Sequence, residues 1–359
     1  MNLDTKQFFD KINAALAAKR PFVAYNYPNS NEIKSFFQLD DSLHYTVNFA
    51  DSGFIFAPFD DRNQAILFPS TSSEFFETKL SDVSLPKILK NNEFINATLK
   101  EKENHLQLVQ KGIKYLNDTD CKKVVLSRRM TLNYPKLSPV DIFKKLLKLY
   151  NNAMVYIWFH PDVGLWLGAT PETLLKVNKD EFSTVALAGT QEYHGSLDVV
   201  WLQKERKEQQ FVTDFILEKF KDTSSLTVVS KPRTIKAGSI VHLCTNISGK
   251  LSDHLSLTTL LKELHPTPAV CGVPKNSSKE FILANEGYDR SFYTGFLGEL
   301  NMNNSSNLYV NLRCMQVNEN IVDLYVGGGI TLESIAENEW EETVAKSKVM
   351  MAVLGKANA

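Results

Sequence analysis

Runs of β-branched and aromatic residues recur along most of the chain, with amphipathic stretches between blocks of them. The clearest runs read as strands and are CKKVVLSRRMTL, AMVYIWFH, GLWLGATPETLLKV, SIVHLCTNISGKL, NLYVNLRCMQV and IVDLYVGGGI. Helices are predicted at 141–150, after Ser138-Pro139, and at 196–221 and 335–355. Because several strands follow one another without an intervening helix, the pattern predicts an α+β fold with large, mainly antiparallel sheets.

Composition limits the class of protein. The 359 residues exceed the roughly 250–300 at which a single core stops growing, so we expect one two-lobed domain or two tightly packed ones. A net charge of −1 gives no reason to expect a nucleic-acid or anionic-membrane surface. No segment approaches the roughly 18–20 apolar residues of a membrane span. Four scattered cysteines and the absence of a secretory signal indicate a reducing cytoplasm.

The predicted closing helix carries charge on the face that should be buried. Its stripe has spacings of 3, 4, 3 and 4 and consists of Glu339, Glu342, Lys346, Val349 and Val353. Because the second half of this stripe is apolar, we expect the stripe to face the protein. The alternative is a solvated ladder of Glu–Lys pairs, each contributing only about 0.2–0.5 kcal/mol.

The helix predicted at 196–221 has the same peculiarity. Phe211, Val212 and Phe215 define its expected buried stripe, and Glu208 lies on that stripe one turn earlier, with Glu205 three residues before it. An inward carboxylate costs several kcal/mol unless it is paired or binds a metal. Two helices with inward acids would form an all-oxygen site of the kind that suits Mg²⁺.

Two strands carry further unusual residues. In the first, Lys123, Val125 and Ser127 share one face, although a lysine on a strand more often lies at a sheet edge and reaches water. In the second, the 325–330 strand contains three consecutive glycines, through which a backbone can approach a ligand closely. A β-bulge is the alternative interpretation of those glycines.

Ten short motifs then occur in a fixed order. They are KVVLSR at 123–128, ATPETLL at 169–175, ALAGT at 186–190, KERKEQQ at 204–210, HLCTNISGKL at 242–251, LHPTPAVCG at 264–272, YDRSFYTGFLGEL at 288–300, NLRC at 311–314, GGGI at 327–330 and EWEETVAK at 339–346. With this order the chain resembles the chorismate-utilising enzymes, and among them most the isochorismate synthases. The resemblance covers roughly 115–357. Residues 1–105 match loosely and are predicted to be a divergent N-terminal part of the same fold, with 106–359 as the chorismate-binding catalytic region.

The resemblance implies one domain with two large antiparallel sheets, helices outside and an active site between the sheets. It also implies that chorismate is bound with Mg²⁺, and that a nucleophile enters at C2 while the C4 hydroxyl leaves. Carried over by motif, Lys123 would be the general base and Glu172 the general acid. The implied metal site consists of Glu208 and Glu342, supported by Glu205 and Glu339. The implied substrate contacts are Gly189, Thr190, His242 near the departing hydroxyl, Ala269, Tyr293, Arg313, Gly327, Gly329 and Lys346.

This division of roles is physically consistent. Chorismate is a dianion, and one metal ion, one arginine and one lysine would supply the charge that binds it. Glu172 has to stay protonated near neutrality, which apolar burial favours. Lys123 has to be uncharged before it can take a proton, and opposed demands on two groups are what acid–base exchange at C2 and C4 requires.

Single residues separate the subfamilies. Lys123 favours water as the nucleophile, so we expect no glutaminase partner, and Ala269 stands where salicylate synthases tend to have threonine. The alternatives are a salicylate synthase, an aminating enzyme of the anthranilate type, and a catalytically dead relative that only binds a metabolite. We expect a monomer, and a product that serves menaquinone or catecholate siderophore synthesis.

Overall fold

The computed structural model describes residues 1–84, 98–134, 138–221, 223–237, 240–252 and 257–354. Its helices are α1 (Thr5–Ala17), α2 (Leu99–Asp118), α3 (Pro139–Leu149), α4 (Gln203–Lys221), α5 (Leu257–Leu264), α6 (Lys275–Asn285) and α7 (Ala336–Leu354). Its strands are β1 (Phe22–Asn26), β2 (Glu32–Gln38), β3 (Tyr45–Thr46), β4 (Gly53–Ala57), β5 (Ala65–Pro69), β6 (Ser73–Lys79), β7 (Lys123–Asn133), β8 (Met154–His160), β9 (Gly164–Thr170), β10 (Thr173–Asn178), β11 (Glu181–Glu192), β12 (Ser224–Val229), β13 (Arg233–Ala237), β14 (Ile240–Leu251), β15 (Gly272–Val273), β16 (Phe296–Met302), β17 (Ser305–Val310), β18 (Cys314–Asn318) and β19 (Ile321–Ile330).

Two large sheets are formed, and the strands in each pair antiparallel. The nine-stranded sheet has the order β15-β7-β19-β18-β9-β8-β1-β2-β6. The ten-stranded sheet has the order β12-β14-β11-β10-β17-β16-β4-β5-β3, and β13 also pairs with β14. The predicted α+β fold with two mainly antiparallel sheets is therefore confirmed. Strands before residue 105 contribute to both sheets.

Aromatic side chains fill the space between the sheets. Phe56 of the ten-stranded sheet packs at 5.0 Å from Trp158 of the nine-stranded sheet, and Phe68 stacks on the same indole at 5.2 Å. Their strand neighbours alternate to the outer faces, because successive side chains of a strand point to opposite sides. There Ile157 belongs to the cluster that includes residues of α1 and α3, and Ile55 belongs to the cluster that includes residues of α4 and α5. The helices thus lie outside the sheets.

The helices predicted at 141–150 and 335–355 are both present, as α3 and α7. α3 begins at Pro139, and the Ser138 hydroxyl accepts a hydrogen bond from the Asp141 amide at 3.3 Å, as expected of a helix N-cap. α7 ends at Leu354, and residue 355 of the predicted range lies outside the described residues.

The predicted start of the 196–221 helix is wrong, because α4 begins at Gln203. The preceding segment is held by Trp201, which is buried against Val241 and Leu243 and donates a hydrogen bond to Thr234 at 3.0 Å. The buried face of α4 also differs from the prediction. It consists of Gln209, Val212, Thr213, Ile216 and Phe220, while Phe211 and Phe215 are only partly buried.

Two simpler predictions concern cysteines and membrane spans. Cys121, Cys244, Cys271 and Cys314 are all free thiols and all buried. Within the described parts of the chain, no helix combines the length and the apolar character needed to cross a membrane.

Candidate active site

A cavity lies between the two sheets, with about 770 Å³ of space not filled by protein atoms when the part open to solvent is included. Val125 and the 326–329 segment line it from the nine-stranded sheet, and the 187–190 segment and His242 line it from the ten-stranded sheet. The predicted site residues that line it are Glu172, Gly189, Thr190, Glu208, His242, Ala269, Tyr293, Arg313, Gly327, Gly329 and Lys346. The remaining four, Lys123, Glu205, Glu339 and Glu342, are not among the lining residues.

Lys123 lies directly behind the wall of this cavity. Its side chain has no exposed surface, and its Nζ is 3.0 Å from Oε1 of Glu208, which does line the cavity. β7 is paired with β19 over ten residue positions on one side and with the short β15 on the other. The alternative of a solvated lysine at a sheet edge is therefore wrong.

Gly329 makes room for the contact between Lys123 and Glu208. It pairs with Val125 across the β7–β19 ladder. A Cβ at this position would collide with Oε1 of Glu208 and would stand 2.9 Å from Cε of Lys123. Only glycine therefore lets the ammonium and the carboxylate meet over this strand.

Glu172 lies in the turn between β9 and β10. Its carbonyl accepts a hydrogen bond from the Val310 amide at 3.0 Å, and its side chain is only 4% exposed. Burial raises the pKa of Glu172 to about 8, although the charges of Lys123, Lys346 and Arg313 oppose this rise. The carboxyl group is thus mostly protonated at neutral pH, and it can donate a proton into the cavity.

Arg313 and His242 form a hydrogen-bonded pair in the cavity wall. Nδ1 of His242 is 2.9 Å from the Gly189 carbonyl oxygen, and Nε2 is 2.8 Å from Nη2 of Arg313. A carbonyl only accepts and a guanidinium only donates, so Nδ1 carries the proton and Nε2 accepts. Burial, together with the charges of Arg313 and Lys346, lowers the pKa of His242 well below its usual value and keeps the ring neutral.

His242 lines the same cavity as Glu172, and its implied place near the departing hydroxyl stays a prediction. Its described hydrogen bonds go to Gly189 and Arg313, with the Thr190 hydroxyl 3.3 Å from Nδ1. The ring therefore orients the guanidinium of Arg313. Arg313 itself has a φ of +47°, an uncommon value for a residue with a side chain, and such values concentrate at ligand sites.

The predicted acidic residues surround the glycine-rich end of β19. Glu208 lies over Gly329, and a Cβ at Gly328 would be 3.4 Å from Oε1 of Glu342 and 3.6 Å from Oε2 of Glu339. The fourth acid, Glu205, packs against Gly189 on the opposite sheet. The stripe predicted for the closing helix is confirmed, because Glu339, Val349 and Val353 are buried and Glu342 and Lys346 are partly buried.

Lysines neutralise three of these carboxylates. Lys123 pairs with Glu208, Lys204 pairs with Glu339, and Lys346 is 2.7 Å from Oε1 of Glu342. Lys346 also donates to the Gly327 carbonyl at 2.9 Å, which ties α7 to β19. Lys204 was not predicted as a site residue, although it lies one helical turn before Glu208 in the KERKEQQ motif.

The chemistry of these groups fits a hard divalent cation. All four side chains offer carboxylate oxygens, and one buried oxygen each of Glu205 and Glu339 has no hydrogen-bond partner among the described residues. Burial, and after it the charge of Glu342, raise the pKa of Glu339, which Lys204 partly opposes. No three His, Cys, Asp or Glu side chains of the described ranges form a group that could hold a metal ion. One or two carboxylates are enough for Mg²⁺ when the other ligands are waters and an anionic substrate.

A second buried ion pair supports the site and was not predicted. Arg290 pairs with Glu286, and it donates to the carbonyls of Val125 at 2.7 Å and Val270 at 2.9 Å. Glu286 accepts from the amide of Ser127 at 2.7 Å. Because Val125 and Val270 both line the cavity, this pair fixes two of its walls. The signal available in the sequence was the pair of opposite charges four residues apart.

Comparisons with known proteins identify the family of the chain. The model of the family described as chorismate binding enzymes matches residues 61–355. An isochorismate synthase of Escherichia coli strain K12 is 29% identical over 312 residues, which cover 83% of this chain and 80% of that protein. An isochorismate synthase of Bacillus subtilis strain 168 is 30% identical over 274 residues, covering 71% of this chain and 68% of that protein. In structure, the chain is similar to a putative 2,3-dihydroxybenzoate-specific isochorismate synthase of Bacillus anthracis, with a TM-score of 0.78, 23% identity, and coverage of 97% of this chain and all of that one.

Proposed function

The chain belongs to the family of chorismate binding enzymes, and on that premise we propose that it is an isochorismate synthase. In this reaction water adds at C2 of chorismate and the C4 hydroxyl leaves as water, so the overall change is an isomerisation. One observation carries the proposal. The buried acid Glu172 and the Lys123–Glu208 pair converge on one cavity whose wall also presents Arg313 and Lys346.

Glu172 has the properties of the general acid. It is buried and, with a pKa of about 8, it is protonated at neutral pH, so it can give a proton to the departing hydroxyl oxygen. Proton donation leaves a carboxylate, which Lys123, Lys346 and Arg313 then stabilise by their charge. These are the same groups that oppose the rise in its pKa.

Lys123 is the proposed general base. An uncharged Nζ would take one proton from the water that attacks C2, and this proton replaces the one that Glu172 gives away. Lys123 can act in this way only when Glu208 has exchanged its ion pair with Lys123 for another partner. Its complete burial keeps bulk water away from the amine.

The proposed Mg²⁺ site consists of carboxylates. Glu208 and Glu342 would hold Mg²⁺, with Glu339 and Glu205 as further support. A bound Mg²⁺ would neutralise and orient a substrate carboxylate. Glu208 would then have a cation partner other than Lys123. Dependence on Mg²⁺, a monomeric state and a cytoplasmic location stay predictions.

Arg313 and Lys346 are the proposed charge partners of the dianion. Arg313 is held by His242, and its guanidinium would bind the enolpyruvyl carboxylate, with Tyr293 and the Gly327 amide beside it. Burial lowers the pKa of Arg313 to about 10, so it stays charged throughout the physiological range. Lys346 and the 189–190 backbone would bind the ring carboxylate.

Product analysis tests the function directly. Purified protein is incubated with chorismate and Mg²⁺, without ammonia, and the products are separated and identified. We expect isochorismate. Salicylate with pyruvate would identify a salicylate synthase, anthranilate formed only with ammonia would identify an aminating enzyme, and absence of turnover with retained chorismate binding would identify a catalytically inactive relative.

Replacing Glu342 by alanine is expected to weaken the metal site. The Mg²⁺ concentration for half-maximal activity should rise at least about 10-fold, because carboxylates that hold or orient a metal typically contribute 10–100-fold to its affinity. Mg²⁺ binding measured by calorimetry should weaken in parallel. Glu341, the exposed neighbour, provides the control as Glu341→Ala. An unchanged metal titration of Glu342→Ala would exclude Glu342 as a ligand.

Replacing His242 by leucine is expected to weaken chorismate binding. A buried guanidinium would lose its acceptor, and a hydrogen bond to a charged group contributes about 1.5–3 kcal/mol, or roughly 10- to 100-fold in affinity. Calorimetric titration with chorismate measures the loss, and His242→Gln should recover part of it by restoring an acceptor. The exposed His194→Leu serves as control. Wild-type affinity in His242→Leu would show that Arg313 does not depend on His242.

A further inference from the structure

Arg128 lies on the side of β7 that faces away from the proposed active site. Lys123 and Val125 point towards the cavity, whereas Val124 and Leu126 pack with Val109 of α2 in the outer core. By strand alternation, Arg128 belongs to the same outer face as Val124 and Leu126. Its side chain is therefore enclosed between the nine-stranded sheet and helices α2 and α7, and the residue is 8% exposed.

The guanidinium of Arg128 uses only one of its three nitrogens. Nε donates to the Thr343 hydroxyl at 2.8 Å, and the planar group stacks on Trp340 at 4.3 Å from the ring centre. Nη1 and Nη2 are both buried and have no hydrogen-bond partner in the described ranges of the chain. Within those ranges no salt bridge includes Arg128.

Arg290 shows how this fold otherwise satisfies a buried arginine. It is 1% exposed, and all three of its nitrogens donate, to the Glu286 carboxylate, to two backbone carbonyls and to the Thr294 hydroxyl. A buried donor without a partner destabilises the folded state, and more so when it is charged. The unpaired Nη1 and Nη2 of Arg128 therefore lower the stability of the folded protein, and an acceptor from a bound ligand would remove this loss.

His105 of α2 adds two more unused polar atoms. Its ring is 3% exposed, packs against Trp340 at 5.8 Å, and has no partner for either nitrogen among the described residues. Burial, together with the charge of Arg128, lowers the pKa of His105 to about 4. The ring is thus neutral at physiological pH and has one N–H to donate.

The acidic residue near Arg128, Glu101, already uses its carboxylate in other hydrogen bonds. Glu101 lies one turn before His105 on α2 and acts on Arg128 through its charge. Its carboxylate accepts from the Thr98 amide at 2.6 Å and the Thr98 hydroxyl at 2.9 Å, so it caps the start of α2. Glu101 is the one nearby acid of the described residues that could compete for Arg128.

We propose that Arg128, His105, Trp340 and Thr343, called here the Arg128 cluster, bind a small oxyanion, such as a carboxylate or inorganic phosphate. Two oxygens of the anion would accept from Nη1 and Nη2, which match the spacing of a carboxylate or phosphate edge. The N–H of His105 would supply a third donor. The site is separated from the cavity by the thickness of β7, and it does not depend on the proposed function.

Binding at this cluster would also act on α7. Trp340 and Thr343 lie on this helix beside Glu339, Glu342 and Lys346. An anion bound only by the folded protein increases its stability by mass action. We therefore expect anion binding to raise the melting temperature even when chorismate and metal are left out.

The test is a titration of the full chain with inorganic phosphate and, separately, with formate, at an ionic strength held constant with sodium chloride. The melting temperature and tryptophan emission are recorded. We expect a saturable rise in the melting temperature and a saturable emission change. Trp340→Phe should remove the emission change while keeping the rise in melting temperature. Saturation with phosphate alone or with formate alone identifies the preferred anion, and both results support the site.

Variants decide whether the Arg128 cluster is responsible. Arg128→Met should raise the apparent dissociation constant at least tenfold, whereas Arg129→Met, at a neighbouring position that is 43% exposed, should leave it unchanged. If Arg128→Met does not fold, His105→Phe should weaken binding and Glu101→Gln should strengthen it. A response that does not saturate, or that persists in Arg128→Met and His105→Phe, overturns the proposal. Binding that arises only in Glu101→Gln overturns it as well, because Glu101 would then be the partner of Arg128.

Discussion

Lys123→Ala is expected to lower kcat for isochorismate formation by about 10²- to 10⁴-fold, the range that a positioned general base contributes. The other two lysines of the site, Lys346 and Lys204, differ from the completely buried Lys123 in being partly exposed, and neither is proposed as a base. The charges proposed to bind the dianion, on Arg313 and Lys346, are unchanged. The dissociation constant for chorismate should therefore stay within a few-fold of wild type.

A second variant separates catalysis from folding. Removing Lys123 leaves the buried Glu208 carboxylate without its partner, and this destabilises the protein. Lys123→Gln keeps a donor of similar length for Glu208 but cannot accept a proton. Turnover is measured by product chromatography and binding by calorimetry, with the exposed Lys122→Ala as control. Wild-type turnover in Lys123→Gln would exclude Lys123 as the base.

The face on which Lys123 lies could be predicted from the sequence, but its burial could not. Strand alternation places Lys123 with Val125 and Ser127 in any antiparallel sheet. Whether Lys123 lies at a sheet edge or inside the sheet depends on strands that are distant in the chain. β19 (Ile321–Ile330) pairs with β7 from Val124 to Asn133, and β15 pairs with Lys123 itself. Pairing at such a distance leaves no local signal, so the edge and the interior positions could not be told apart.

The inward acids on two helices were predicted from hydrophobic periodicity, and this worked best for α7. There the apolar half, with Val349 and Val353, has the same phase as Glu339, so the buried face could be identified. On α4 the predicted buried face is rotated from the observed one, because polar side chains occupy part of the observed buried face. Gln209 is buried and donates to Thr213 and Thr245, a tertiary hydrogen-bond pattern that no apolar stripe reports.

The partners of the site residues were the least predictable part. The glutamates could be named by motif, but three of the four meet a lysine that periodicity did not predict. Glu208 and Glu339 meet lysines from other motifs, and Glu342 meets one from the next helical turn. The buried Arg290–Glu286 pair lies outside the acidic cluster and holds backbone carbonyls of β7 and the 270 segment. Such contacts follow from the packing of elements, so they require the folded structure.

Glu172→Gln is expected to lower kcat by about 10²- to 10⁴-fold, because the amide keeps the size and neutrality of the protonated acid but cannot give up a proton to the leaving hydroxyl. Chorismate affinity should change little, since the wild-type side chain is already uncharged at neutral pH. Product chromatography and calorimetry measure the two quantities, and Glu181→Gln at an exposed position on β11 is the control. Turnover close to wild type would show that another group protonates the leaving hydroxyl.

The pH profile gives a second, independent measure of the same acid. Only protonated Glu172 is active as a donor, so wild-type kcat should fall as pH rises through about 8, and this limb should be missing from the residual activity of Glu172→Gln. The stability of the wild-type fold should also fall as pH rises. Because the pKa of Glu172 is raised in the folded state, its ionisation favours unfolding as pH rises from about 4.5 to about 8, and glutamine removes that cost. Glu172→Gln should therefore unfold no more easily than wild type at pH 8, so unfolding could not account for its lost activity.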